Sequence, residues 1–359
     1  MLNFIIKRLL YGILVIFGVT TVVFVLFNIL PGDPARMMLG QRADINSIEA
    51  IKKDLGYDKP IFTQYLNYIN DLSPISVHNT LNPESYWYLN PQKYTAKKIF
   101  RISSTKHIVA KIPYLRRSYQ TKKKVSEILT ETFPNTFILA TVSIGFAIFI
   151  GIFIGIFCAL FKNSLFDKFS LLISVIGISL PSFFAAIIIA WLFAFLLGEY
   201  TGLNMFGSLY SINDYTGEEY LNLKNLILPA FTLGIRPLAI VVELTRNSLL
   251  EVLSQDYIRT AKAKGLRMKK IIMKHALKNS LNPLITAISG WFASLMAGAV
   301  FIEYVFNWKG IGMIIVESLE KYDFPVIMGS VLFVSLILVF INIFVDIIYA
   351  IIDPRVRIN

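Results

Sequence analysis

Long uncharged runs separated by short basic loops set the pattern of this 359-residue chain. Residues 9–30 are apolar almost throughout, and at about 1.5 Å per residue such a helix crosses a hydrocarbon core about 30 Å thick. Pro31 and Pro34 predict its end. Residues 136–161 give a second run of 26 uncharged residues and 169–197 a third of 29. Pro181 lies inside the third, where a membrane helix tolerates it as a kink. A weaker fourth span covers 226–250, interrupted by Pro229, Arg236, Pro237 and Glu243; 284–302 and 325–352 predict a fifth and a sixth. The first run is too long for the apolar part of a signal peptide, and Pro31-Gly-Asp-Pro-Ala35 stands where a cleavage site would be, so it reads as an uncleaved span. Gly151-x-x-x-Gly155 permits close helix approach and reads as ordinary packing.

Residues 31–133 form the one large polar region. A short amphipathic helix is predicted at 44–55, closed by Gly56, with Pro60 opening the next segment. Residues 74–113 carry no clear periodicity. Trp87, between Tyr86 and Tyr88, reads as a small local core ahead of a contact surface.

Composition agrees with the pattern: 55% hydrophobic and only 16% charged residues mark an integral membrane protein. The net charge of +12 raises nucleic acid as a partner, but Lys and Arg beside apolar spans are explained by orientation and anionic headgroups. One face collects Lys7, Arg8, Lys162, Lys168, the bases of residues 256–283, Arg355 and Arg357; the other short loops hold only Lys224, Lys309 and Lys321. Six spans with both termini in the cytoplasm satisfy this bias, leaving 31–133 outside.

Candidate chemistry is sparse. No Gly-x-x-x-x-Gly-Lys-Ser/Thr loop, His-Glu-x-x-His helix or Gly-x-Ser-x-Gly elbow occurs. Cys158 reads as a packed thiol, and His78, His107 and His275 have no ligand spacing. Glu243 with Arg246, and Asn342 with Asp346, sit at helical spacing toward span ends, where pairing or packing explains them better than a proton relay.

Residues 256–283 differ from the rest. They hold eight bases (Arg259, Lys262, Lys264, Arg267, Lys269, Lys270, Lys274, Lys278) and one acid, Asp256. Tyr257, Ala261 and Lys264 share one helical stripe; Ile258, Ala261 and Gly265 share another, predicting a small-residue face that lets a partner's backbone come close. Gly265 offers a left-handed C′ position, and 268–279 predicts a second helix before Pro283. A basic loop resting on headgroups would explain the lysines but not Ala261-x-Ala263-x-Gly265.

That core, followed by His275-Ala-Leu-Lys-Asn-Ser-Leu-Asn-Pro283, resembles the coupling loop of binding-protein-dependent ABC importer permeases, in particular the first permease of oligopeptide, dipeptide and nickel importers. Further matches are Pro31-Gly-Asp-Pro-Ala35, Leu55-Gly, Lys59-Pro, Gln64-Tyr, Arg117-Ser118-Tyr119, Leu228-Pro-Ala, Val305-Phe-Asn-Trp-Lys-Gly-Ile-Gly312, Tyr322-Asp-Phe-Pro325, Val345-Asp-Ile-Ile-Tyr349 and Asp353-Pro-Arg-Val-Arg357. Arg259-Thr260-Ala261 stands where the family often has Glu-Ala-Ala, so an acidic contact to an ATPase is not implied, and 74–113 looks inserted.

The resemblance implies an all-α membrane protein with six transmembrane helices and a MetI-like type I importer permease fold. Residues 1–30 would hold the cytoplasmic N-terminus and first helix, 31–133 an external domain with the 74–113 insertion, 134–352 the permease domain with its coupling loop at 251–283, and 353–359 a cytoplasmic tail. It implies an ATPase-coupling helix of Tyr257, Ile258, Arg259, Thr260, Ala261, Lys262, Ala263, Lys264 and Gly265, and a coupling arm marked by His275, Asn279 and Pro283. The implied partners are a second permease subunit, two cytoplasmic ATPase subunits, an external solute-binding protein and membrane lipid. No cofactor is expected in this chain, since ATP and magnesium would sit on the ATPases. The implied setting is the bacterial inner membrane and the implied cargo di- or oligopeptides, with nickel or another small solute as alternative. A self-contained secondary transporter would need paired mid-membrane charges or inverted repeats, which the sequence lacks.

Overall fold

The computed structural model describes residues 2–29, 59–82, 85, 87–91, 93–213 and 215–352. The predicted helix at 44–55, the Pro31–Ala35 turn, Leu55-Gly56, Tyr86 and the 353–359 tail lie outside these residues. The chain divides into two units, one built from 2–131 and 314–339, the other from 132–313 and the end of the chain from 340.

In the first unit, helix α1 (Leu2–Ile29) is followed by α2 (Ile61–Leu72), which starts directly after Pro60. Val23 and Phe24 of α1 are buried with Tyr68 of α2 and with Met328 and Leu332, and the Thr21 and Tyr65 hydroxyls share a 2.6 Å hydrogen bond. Strands β1 (Ile75–Asn79), β2 (Ala96–Arg101) and β3 (Lys106–Lys111) then form an antiparallel sheet in the order β1-β3-β2. Register pairs Val77 with Ile108 and His78 with His107; a bulge interrupts β2 between Lys98 and Phe100. Residues 74–113 therefore contain the strands that their sequence did not announce. The reason is an inverted pattern: β1 turns Ser76 and His78 inward and leaves Ile75 exposed, and β3 buries Lys111 beside Val109. Trp87 belongs to this local core, its indole donating to Asn67 Oδ1 at 2.8 Å and its carbonyl accepting from Asn79 N at 2.7 Å.

Helix α3 (Val125–Leu160) passes from the first unit into the second. Asn163, at a left-handed φ of 65°, closes the turn after it. Ser164 then caps α4 (Leu165–Ser179), its hydroxyl accepting from Asp167 N. The expected kink at Pro181 is a full break. Leu180 is extended (φ −70°, ψ 132°), as a residue before proline prefers, and the following helix α5 (Ser182–Ala190), continued by a π-helical segment Trp191–Leu196, turns by 111°. After α6 (Gly198–Thr201), a hairpin of β4 (Tyr210–Ile212) and β5 (Glu219–Leu221) leads into α7 (Lys224–Leu253), the most enclosed of the long helices. A Cβ at Gly151 would come within 2.6 Å of Val241 and one at Gly155 within 2.6 Å of Thr245, so that glycine pair is where α3 presses onto α7.

Helix α8 (Asp256–Ala263) precedes α9, which runs through Met268–Lys270, a π-helical turn Ile271–Ala276 and Leu277–Ser280. The expected fifth span is α10 (Asn282–Gly298), interrupted at Ala299 before α11 (Val300–Val305). Helices α12 (Ile311–Glu320) and α13 (Phe324–Ile352) complete the described chain.

Among the described residues, Ile5–Asn28, Val125–Leu160, Lys224–Leu253 and Phe324–Ile347 are long and apolar enough to cross a membrane; the bent pair Leu165–Ser179 and Ser182–Leu196 qualifies together, and Pro283–Met296 is apolar but shorter. Large apolar side chains such as Ile13, Phe149 and Phe340 point outward. Such exposure suits a chain whose solvent is lipid.

Candidate functional site

The basic segment folds into the predicted elbow. Gln255 is extended at the start of α8 and Asp256 occupies the first turn, where the helix dipole favours an acid. The end of α8 is closed by a Schellman motif: Leu266 N donates to Ala261 O at 3.3 Å and Gly265 N to Lys262 O at 2.9 Å, with Gly265 left-handed at φ 73°. The apolar contact that accompanies this motif is present as well. Leu266 packs with Ile258 and Ala261 against Leu249 of α7, Ile271 and Ala276 of α9, and Ala159.

This packing corrects one expectation. Ile258 and Ala261 are buried against their own chain, so the small-residue stripe is no landing strip for a partner. An amphipathic helix of eight residues has only one face that removes apolar surface from water, and Ile258 alone gains about 1.5–3 kcal/mol by burial. The outward face is polar: Tyr257, Arg259, Thr260, Lys262, Ala263, Lys264 and Gly265 are exposed. The Arg259–Asp256 pair, 3.3 Å apart and open to water, contributes little. Gly265, Leu266, Arg267, Lys269 and Lys270 line a basic recess of about 400 Å³ beyond the turn.

The arm residues divide. Asn279 Nδ2 donates to the Tyr257 hydroxyl at 3.0 Å, tying α9 to α8. His275 is half-buried and Pro283 lies exposed in the first turn of α10.

Four charged residues hold positions that the sequence did not assign. Arg246 grips Asp167 through Nε at 2.6 Å and Nη2 at 2.8 Å, instead of pairing with Glu243, and joins α7 to the start of α4. Glu303, inaccessible to solvent, accepts from the Thr136 hydroxyl at 2.7 Å and from Gly312 N at 2.7 Å and Met313 N at 3.2 Å. It thereby caps α12, and a Cβ at Gly312 would strike Val300 Cα at 2.4 Å. Asp323 is buried and accepts from Ser118 Oγ and Tyr119 N, joining the 117–119 and 322–325 motifs. Arg236, half-buried midway along α7, donates from Nη2 to the Leu180 carbonyl at 3.0 Å, while its Nε is buried without a partner. An arginine at that depth of a span costs about 2.5–3.5 kcal/mol on insertion scales.

In the first unit, Asp71 accepts from Lys93 at 3.1 Å and from the Tyr94 hydroxyl, while Lys111 Nζ donates to the Asn70 carbonyl at 2.7 Å. Burial, reinforced by the Lys111 charge, holds His78 down at about 4, and burial lowers Lys111 to about 8. The Trp87 carbonyl can only accept, so His78 carries its proton on Nδ1 and its Nε2 accepts from Ser76. Among the described residues no group of three His, Cys, Asp or Glu is placed to hold a metal.

Two family models cover most of this architecture. Residues 151–358 match the binding-protein-dependent transport system inner membrane component, and 1–82 match the N-terminal region of such membrane components. The chain belongs to this family. Full-length relatives agree: the permease is 34% identical to the dipeptide transport system permease protein DppB of Alkalihalophilus pseudofirmus, over 99% of this chain and 100% of the relative. It is 33% identical to the di/tripeptide permease DppB of Pseudomonas aeruginosa and 32% identical to the glutathione permease GsiC of Escherichia coli, each over 99% of both chains. It is thus a multi-pass membrane component of a transport system, a family defined by transport through a membrane and not by ATP hydrolysis.

Proposed function

We propose that the permease is one transmembrane half of an ATP-driven importer of di- or oligopeptides. One observation carries the substrate class: three relatives that align from end to end are named for dipeptides, di/tripeptides and glutathione, all short peptides. A second permease subunit completes the pathway, an external binding protein delivers the peptide, and two cytoplasmic ATPases bear the ATP and magnesium. Both termini and the α8–α9 elbow lie in the cytoplasm of a bacterium, with residues 59–131 on the outer side.

The polar face of α8, from Tyr257 to Gly265, docks on an ATPase. The apolar seam beneath it and the Asn279–Tyr257 bond support this role, since both make α8 move with α7 and α9. Closure of the ATPases around ATP displaces the elbow, and α9 carries the displacement through Pro283 into α10, so that the pathway alternates between inward and outward access. Reconstitution in proteoliposomes tests the reading. Peptide uptake is expected only with binding protein, both permeases, ATPases and ATP together; uptake by this chain alone would sink it.

A further inference from the structure

We infer that Arg236 and the helix break at Leu180–Pro181 form a binding point for the carboxylate of a translocating peptide. This rests on the peptide-import reading above and names the substrate group that the pathway recognises. Arg236 stands twelve residues into α7, about 18 Å along its axis, so its cation is well inside the span. Among the described residues no carboxylate pairs with it, unlike Arg246, which grips Asp167 on the same helix. Among the described residues its hydrogen bond goes to the Leu180 carbonyl, which the extended backbone before Pro181 leaves outside both flanking helices. That duty uses one of five guanidinium donors.

The surroundings are built for an anion. α4 packs closely on α7 next to Arg236, since a Cβ at Gly177 would meet Ile235 at 2.9 Å. α5 begins at the break without a side-chain cap, adding the positive end of its dipole to the guanidinium. Broken helices at membrane depth are tolerated where they line a cavity or are packed in protein, and in many transporters the ends of such broken helices form the substrate site. A planar guanidinium with unclaimed donors matches a carboxylate in two-point geometry, and every unblocked peptide ends in one.

The test uses the complete importer in proteoliposomes, with trialanine and trialanine amide each supplied already bound to the binding protein. The wild type is expected to import the acid about ten-fold faster than the amide, the worth of one hydrogen bond to a charged group. Arg236→Gln brings the acid-to-amide rate ratio down to about one, and Arg236→Lys keeps most of the preference. Equal rates for both probes in the wild type overturn the inference, however the variants fold. So does an Arg236→Gln importer that slows both probes alike, since that is the mark of a purely structural arginine. A wild-type importer that moves neither probe overturns the peptide reading itself, and the inference with it.

Discussion

Replacing Gly265 by leucine separates the stability of the elbow from its use. The structure sets the energetic scale. No heavy atom lies within 4 Å of a Cβ built on Gly265, so a side chain there meets open space within this chain. What remains is the left-handed backbone at φ 73°, which costs a residue with a Cβ about 1–2 kcal/mol. The seam of Ile258, Ala261, Leu266, Leu249 and Ile271 is untouched and outweighs that cost. Gly265→Leu is therefore expected to insert, assemble and melt within a few degrees of the parent, followed by size-exclusion chromatography after heating. In proteoliposomes with all partners it is expected to hydrolyse ATP while importing at least about ten-fold less peptide, because the new side chain projects from the face proposed to dock on the ATPase. Gly265→Asn, which tolerates the left-handed region, costs less strain but still adds bulk. It falls between the two in uptake. Normal uptake by Gly265→Leu would refute the docking role of the turn; loss of assembled protein would refute the assignment of the cost to backbone strain alone.

Three further outcomes follow from buried charges. His78 titrates at about 4 when folded and near 6.5 when unfolded, so between those values the unfolded chain binds the extra proton and stability falls as pH drops through that window. The loss reaches on the order of 3 kcal/mol near pH 4; limited proteolysis of the 59–131 region should accelerate over that range, and His78→Gln should flatten the dependence. Arg246→Ala strands the Asp167 carboxylate, whose side chain is only 2% exposed, at a cost of about 3–5 kcal/mol. Exchanging both partners for Leu and Met is expected to recover most of that loss in the same heating assay, and equal damage from the double exchange would count against it. Glu303→Ala leaves the Gly312 and Met313 amides without an acceptor and is expected to cost on the order of 3–5 kcal/mol, whereas Glu303→Gln, which keeps an acceptor oxygen, costs less. Equal yields of folded protein from the two would contradict the capping role.

The long helices and the elbow were legible because membrane spans and basic loops write themselves in runs of residues. Gly265 was legible because few residues other than glycine tolerate its φ, and the turn closes as that predicted. The sheet at 75–111 was not, since it buries Ser76, His78 and Lys111 and leaves apolar residues outside. Its pattern has no apolar period to find. The break at Pro181 was only half legible: proline marks a weak point, but the 111° turn and the Arg236 donor that meets the Leu180 carbonyl from 56 residues away are matters of tertiary packing that no local pattern reports. Asp167 lies 79 residues from Arg246, Thr136 lies 167 from Glu303 and Ser118 lies 205 from Asp323, and no local spacing reports these contacts. The inward turn of Ile258 and Ala261 could have been anticipated. They sit three apart on one face of a short amphipathic helix, the face that packs on the rest of the fold.

The inward seam of α8 also divides labour within one short helix. On the docking role proposed for α8, Ile258 and Ala261 belong to the lever, while Arg259, Lys262 and Lys264 belong to its skin. On that proposal a change of ATPase calls for new skin only, and the buried seam beneath stays as it is. The polar face of the elbow can therefore be exchanged without disturbing the apolar seam that fixes α8 to α7 and α9.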